Sequence, residues 1–243
     1  KAIENRLNAI EALNNSVIVR EEVITLLNEV YDLERLISRV NYGNANPRDL
    51  LALKHSLQQF PEIQEKLSSL DSDLLQKIAG IPSLQEITTL INSAIRDEAP
   101  ITIREGNIIK GDYNSELAEL LDIKTNSKKF LQQIEEREKK KTGISTLKIG
   151  FTRVFGYFIE VTKKNLHLVP ETYIRKQTTA NSERYITEEL KLEEEKILGA
   201  QEKIQVLEYD LFQDLIKKIA EKTSEIQDSA QKLAVLDVVC SLA

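Results

Sequence analysis

The chain has 243 residues, of which 41% are hydrophobic and 30% charged, a balance typical of a globular protein with a buried core. No apolar run approaches the roughly 18–20 residues that cross a bilayer, and no apolar segment follows residues 1–6 as in a signal peptide. The single cysteine, Cys240, excludes an internal disulfide. These features fit a reducing compartment. Because the sequence contains no methionine, we also expect it to be part of a longer chain.

The net charge of −6 is unevenly distributed along the chain. Residues 124–184 carry fourteen Lys and Arg against six Asp and Glu, a net charge of +8, whereas the remainder carries nineteen against thirty-three, a net charge of −14. A basic segment within an acidic protein is expected to attract a polyanion. A surface whose charge served only solubility would more often mix the two signs.

The first part of the chain has the apolar spacing of helices. Residues 1–40 repeat apolar side chains with helical periodicity. A break follows, after which Asn46 is a suitable N-cap and Pro47 suits the first helical position. That helix should run toward Phe60, and Pro61 should begin another, shorter one.

The pattern changes before the basic segment. Residues 71–98 are again helical in pattern, interrupted at 80–82. Residues 101–110 alternate isoleucines around Glu-Gly-Asn, which predicts a small β-hairpin. A helix capped by Asn114 or Ser115 should follow. It is apolar at first and charged toward Lys139, Lys140 and Lys141, as expected of a helix that leaves a helical body, and it should end at Thr142-Gly143.

The basic segment contains strand patterns. Thr146–Arg153 and Tyr157–Thr162 are rich in β-branched and aromatic residues, which predicts two strands joined at residues 154–156. Residues 163–187 are mixed in character. From Glu188 to Thr223 apolar residues recur seven apart, which predicts one long helix with coiled-coil-like packing. A last helix should cover about Thr223–Leu242.

These elements predict a mainly α protein. We expect a helical body with two long antiparallel arm helices that carry a small, basic, β-rich tip. The domain boundaries on this interpretation are residues 1–119 for the first part of the body, 120–200 for the arm segment with its β tip at about 143–187, and 201–243 for the returning part of the body.

Several motifs, in order along essentially the whole chain, resemble the bacterial MutS family of DNA mismatch repair proteins, and specifically its lever (core) and clamp domains. The lever-like motifs are Asp32–Arg39, Asn44–Leu50 and Tyr113–Leu117. The clamp-like motifs are Gly156–Asn165 and Tyr173–Ile186, and Leu233–Val238 is similar to the approach to the family's ATPase domain.

The resemblance implies a protein that encircles double-stranded DNA as a homodimer, works with a MutL-type repair partner, and is cytoplasmic and nucleoid-associated. The clamps would close over the DNA backbone without reading sequence, and the levers would link them to ATPase domains. A mismatch-reading domain should precede Lys1, and an ATPase domain that holds ATP and Mg should follow Ala243. The letters Phe158-Ile-Glu160 match the family's mismatch-reading Phe-x-Glu, but they lie in the clamp strand, so we treat that match as coincidence.

A set of basic and amide side chains is the candidate site for DNA-backbone binding. Such groups position a protein on DNA without specifying sequence, and the binding should weaken with salt. The alternative is that these are ordinary solvated charges. The predicted residues are Lys163, Lys164, Asn165, Arg175, Lys176, Asn181 and Arg184.

No positive case for catalysis or for a metal emerges from the sequence. There is no phosphate-binding Gly-x-x-x-x-Gly-Lys-Ser/Thr, so we expect no enzyme activity and no cofactor in this chain. Glu193, Glu194 and Glu195 are best explained as a solvated helix face, and Cys240 as a small buried hydrophobe. The run Lys139–Lys141 has two interpretations: it contacts DNA, or it stabilises the negative C-terminal end of the helix dipole. The functional alternative is a coiled-coil protein–protein interaction module with an incidental basic tip.

Overall fold

The computed structural model describes residues 2–243, which form two compact units. The first, the helical unit, comprises the described residues up to Tyr113 together with Glu208–Ala243. The second, the sheet unit, comprises Asn114–Leu207. The fold is mainly α with one small antiparallel sheet, as predicted from the sequence. None of the described helices is long and apolar enough to span a membrane.

Seven α-helices precede the sheet unit, and the predicted helical pattern of residues 1–40 is confirmed for the described residues from Ala2 onward. In chain order they are α1 (Ala2–Asn14), α2 (Val17–Asn28), α3 (Leu33–Asn41), α4 (Pro47–Gln58), α5 (Phe60–Ser68), α6 (Asp73–Ala79) and α7 (Gln85–Ala94). The core of the helical unit is built from fully buried aliphatic and aromatic side chains, among them Leu36, Leu53, Phe60, Ile63 and Phe212.

The capping predictions for α4 are confirmed. The Asn46 side chain accepts a hydrogen bond from the Asp49 amide, the Asp49 carboxylate accepts one from the Asn46 amide, and Pro47 occupies the first turn. Asp49 also accepts from Arg39 Nη1 at 3.0 Å and 3.1 Å through its two oxygens. Two of the motifs that carry the family resemblance therefore contact each other.

The predicted hairpin at residues 101–110 is wrong. The segment contains a 3₁₀ turn at Ile103–Glu105 and a single bridge between Ile95 and Ile109. The amides of Asn107, Ile108 and Ile109 donate to the buried carboxylate of Glu208 at 2.8, 2.9 and 3.1 Å. Since a side chain far along the chain satisfies these donors, no partner strand is needed.

The sheet unit begins with α8 (Ser115–Thr142), capped by Asn114 and ended by Gly143 at φ +73°, both as predicted. Its strands are β1 (Lys148–Thr152), β2 (Gly156–Thr162), β3 (Ile174–Thr178) and β4 (Ser182–Ile186). The first two agree with the predicted strands, whereas β3 and β4 lie within residues 163–187, where the mixed sequence pattern predicts no strand. The sheet order is β1-β2-β4-β3, with antiparallel neighbours throughout.

Two long helices complete the chain, α9 (Glu188–Ala220) and α10 (Thr223–Leu242), close to the predicted bounds. α9 contributes to both units. In α10 the residues Leu233, Leu236, Val239 and Cys240 are buried, while Val238 and Leu242 stay largely exposed. The prediction that Cys240 packs as a small hydrophobe is confirmed, and its burial raises the pKa of the thiol to about 11.

Candidate nucleic-acid interface

The register of the sheet brings part of the predicted basic set to one end. Thr162 at the end of β2 pairs with Ser182 at the start of β4, and the Lys163 amide donates to the Asn181 carbonyl oxygen at 3.1 Å. Lys164 follows in the 3₁₀ helix Lys163–Leu168. Two lysines and an exposed asparagine side chain therefore lie together beside the turn between β3 and β4.

The lysines of this set are free to bind an anion. Lys163, Lys164 and Lys176 are exposed, and within the described residues none of their side chains has a hydrogen-bond or ion-pair partner. Lys176 lies on the edge strand β3 where the register with β4 shifts, a bulge that redirects side chains. Arg175 lies 3.5 Å from Glu183, but its side chain is 64% exposed, so much of it also faces solvent.

Arg184 and Asn165, by contrast, bind the protein itself. The Arg184 guanidinium lies 4.2 Å from the centre of the Phe158 ring and donates to Gln177 Oε1 at 2.8 Å. The Asn165 amide donates to Thr146 Oγ1 at 3.0 Å and to Thr162 Oγ1 at 3.3 Å. The predicted set therefore separates into exposed cations and residues that hold the surface in shape.

Phe158 and Glu160, the pair that matches the mismatch-reading letters, are both used inside the sheet. Phe158 is 4% exposed and packs over Gly150, where an added Cβ would lie 2.8 Å from the ring. Glu160 accepts a hydrogen bond from the Ser182 hydroxyl and lies 4.0 Å from Arg184 Nε. This packing gives both residues a structural role and agrees with treating the match as coincidence.

Carboxylates from the long helices hold the β1–β2 hairpin. Glu135 of α8 accepts from the Ile149 amide at 2.8 Å, and Glu194 of α9 accepts from the Tyr157 amide at 3.1 Å. Burial alone would raise the pKa of Glu135, but the bonds from Ile149 and Lys139 outweigh it and lower the pKa. Ile149 lies on the edge strand β1, and Tyr157 precedes the part of β2 that pairs with β4, so each amide donates to a helix carboxylate instead of another strand.

A third carboxylate fixes the start of β3. Glu138, on α8, is 6% exposed and accepts from the Tyr173 hydroxyl at 2.6 Å. Burial is the largest cause and this hydrogen bond the next, and together they raise the pKa of Tyr173 well above its ordinary range. Tyr173 directly precedes the strand that carries Arg175 and Lys176. Sequence reasoning missed these anchors, because isolated acidic residues in a charged helix look the same whether they face solvent or an amide.

The acidic run in α9 is not simply a solvated face, so that prediction is wrong for two of its three residues. Glu193 is 6% exposed with Lys196 3.5 Å away, and Glu194 binds the hairpin. Glu195 alone is exposed. Among residues 2–243 no group of three His, Cys, Asp or Glu side chains is arranged to hold a metal ion.

The three lysines at the end of α8 have different environments. Lys139 contacts Glu135 at 2.6 Å, and Lys141 lies 3.9 Å from Glu138. Lys140 is exposed and has no ion-pair partner in the described part of the chain. All three lie in the last turn of α8, where positive charge favours the helix dipole. Only Lys140 is therefore fully available to a ligand.

Comparison with known proteins agrees with the motifs. The model of the family "MutS domain III" matches residues 1–243. The DNA mismatch repair proteins MutS of Caldicellulosiruptor bescii and Ruminiclostridium cellulolyticum are each 48% identical over 242 residues, which cover 99% of this chain and 28% of the relative. The MutS protein of Methanosarcina barkeri is 42% identical over 246 residues and covers 27% of the relative. The chain thus spans little more than a quarter of these relatives, and it belongs to the MutS domain III family.

Proposed function

We propose that this chain is the lever and clamp of a MutS-type mismatch repair protein and that its sheet unit binds duplex DNA through backbone phosphates. The observation that carries the proposal is the group of exposed, unpaired cations at the sheet, with Lys163 and Lys164 beside the β3–β4 turn. Lysine side chains on strands and turns reach phosphates without reading base edges. The net charge of +8 over residues 124–184 would draw DNA to this unit.

The proposal includes a division of labour along the chain. Residues 1–119 and 201–243 would form the lever and 120–200 the clamp, with α8 and α9 as two antiparallel arms. Contacts within the sheet unit support the arms: Arg137, late in α8, forms an ion pair with Glu189 at the start of α9, while Lys124, early in α8, lines one groove with Gln201, farther along α9. This order of contacts is the one expected when two helices run in opposite directions.

In the whole protein we propose that the levers transmit ATP-driven motion from an ATPase domain elsewhere in the polypeptide to the clamps. That domain would hold the ATP and Mg, and this chain would contribute no catalysis. The protein would act as a homodimer around double-stranded DNA, with a MutL-type partner, in the bacterial cytoplasm. The support is membership in the MutS domain III family and the names of the relatives.

The test is fluorescence-anisotropy binding of the chain to perfect and mismatched duplexes of about 30 base pairs, from about 50 to 200 mM salt. We compare the native chain with a variant in which Lys163, Lys164, Arg175 and Lys176 are replaced by Ala. A control for charge in the helical unit changes Lys77 and Lys218, both exposed there, to Ala.

We expect equal binding to both duplexes, loss of affinity with salt, and much weaker binding by the four-residue variant only. Binding that is unchanged in this variant, or equally reduced by the control, would contradict phosphate contact by these residues. No binding even at the lowest salt would favour the alternative of a protein–protein interaction module.

A further inference from the structure

The sheet unit contains a groove that phosphate binding does not use. It has a volume of about 330 Å³ and lies among α8, β1, β2 and α9. Leu131 and Ile197, which are 8% and 6% exposed, form its apolar floor, and the half-buried Ile149 and Tyr157 form a wall. This volume is at the lower end of the range that binds a small ligand or a few side chains.

The rim of the groove is basic. Lys124 and Lys128 line it four residues apart on α8, so they share one helix face, and both are exposed. Neither has an acidic partner within residues 2–243. The carboxylate at the groove, Glu135, is already occupied by Lys139 at 2.6 Å and by the Ile149 amide at 2.8 Å. The groove thus combines an apolar floor with positive charge that nothing neutralises.

The apolar surface continues beyond the groove. Phe151 pairs with Tyr157 in the register of β1 and β2, and the two ring centres are 4.8 Å apart. Tyr157 lines the groove and Phe151 beside it is 48% exposed, so apolar surface next to the groove remains open to solvent. Contiguous apolar surface of this kind, bordered by polar groups, is characteristic of an interaction site.

We propose that this groove binds an acidic amphipathic peptide segment of a partner protein. Its apolar side chains would cover Leu131, Ile197 and Tyr157, while its carboxylates would pair with Lys124 and Lys128. Duplex DNA fits less well because its phosphates would leave the apolar floor uncovered. A basic peptide would be repelled by the rim. This inference is independent of the phosphate contacts proposed above, which involve other residues of the unit.

The experiment selects peptides that bind the 243-residue chain from a phage library of short random sequences. The selected peptides are then synthesised, and their affinity for the chain is measured by fluorescence anisotropy. We expect sequences in which apolar residues alternate with Asp or Glu. Affinity should fall about tenfold in the Lys124→Glu/Lys128→Glu variant, because two exposed ion pairs become repulsive. The matched control Lys163→Glu/Lys164→Glu should bind the peptides at least fivefold more tightly than that groove variant does.

A second variant keeps the test independent of charge. Gln201 is exposed and lines the groove, so Gln201→Trp would place an indole over the floor and should block the peptides. Selected peptides without acidic residues, or a peptide affinity that neither groove variant changes, would overturn the proposal. So would an equal loss of duplex and peptide binding in the Gln201→Trp variant, which leaves the charge unchanged, since the groove would then serve nucleic acid.

Discussion

The two units of this chain are stabilised in different ways. The helical unit buries many large aliphatic and aromatic side chains completely, including Leu50, Leu57 and Phe60. The sheet unit has a smaller apolar cluster around Leu147, Ile159 and Leu190, and its sheet is also attached to the helices by carboxylates. Because its apolar cluster is small, polar anchors supply part of the order of the sheet unit. The difference suggests that core mutations and anchor mutations will affect the two units differently.

The largest expected effect is in the core of the helical unit. Phe60 is 0% exposed, so Phe60→Ala should lower the free energy of unfolding by about 3–5 kcal/mol through lost burial and a cavity. Urea denaturation measures this loss. Tyr42 is 84% exposed, and Tyr42→Ala should leave the free energy of unfolding nearly unchanged. Similar losses for both variants would mean that apolar burial does not dominate this unit.

A polar anchor exists in the helical unit as well, at Glu208. Its two carboxylate oxygens accept three backbone amides, so Glu208→Gln must turn its NH₂ group toward at least one N–H donor. We expect a loss of about 2–3 kcal/mol in the free energy of unfolding. Glu202→Gln, an exposed change on the same helix, is the control for charge and should be neutral. Equal stability of the two variants would show that the three amides find other acceptors.

These anchors mark the limit of prediction from the sequence. The helices followed from apolar periodicity, and the caps at Asn46 and Asn114 followed from residue type, because both signals are local. The segment 101–110 was misassigned because Glu208, about a hundred residues away, satisfies its amides. Strands β3 and β4 were missed because polar residues such as Arg175 and Glu183 dominate them. The basic character of the sheet unit was predictable, but the inward orientation of Arg184 depends on tertiary contacts with Phe158 and Gln177.

Two glycines of the sheet unit allow the anchors to be tested by matched substitutions. Gly143 and Gly156 have φ values of +73° and +71°, so alanine is strained at either position. At Gly143 a new Cβ meets nothing within 4 Å, whereas at Gly156 it would overlap the Glu194 carboxylate. We expect Gly143→Ala to cost about 1 kcal/mol and Gly156→Ala about 2 kcal/mol, since the second also disturbs the Glu194–Tyr157 bond. Urea denaturation measures both losses of unfolding free energy. Equal losses for the two variants would show that Glu194 does not anchor the hairpin.

At neutral pH Tyr173→Phe should cost about 1.5 kcal/mol, less than Gly156→Ala, because one hydrogen bond to a charged acceptor is lost. Its pH dependence is the sharper test. Burial and the bond to Glu138 raise the pKa of Tyr173 in the folded state, so folding favours the protonated phenol. That contribution is complete below the ordinary tyrosine value of about 10 and declines as the pH rises toward the folded-state value.

Unfolding free energies measured between about pH 8 and pH 11 should therefore fall less steeply for Tyr173→Phe than for the native chain. Tyr185→Phe is the matched control: burial and its bond to Glu183 raise the pKa of Tyr185 to about 12, so this variant should also flatten the profile. Tyr185 is bonded within the sheet, whereas Tyr173 joins the sheet to α8. If Glu138 anchors the strand that carries Arg175 and Lys176, only Tyr173→Phe should also weaken DNA binding. Equal effects of the two variants on DNA affinity would show that both tyrosines contribute to packing alone.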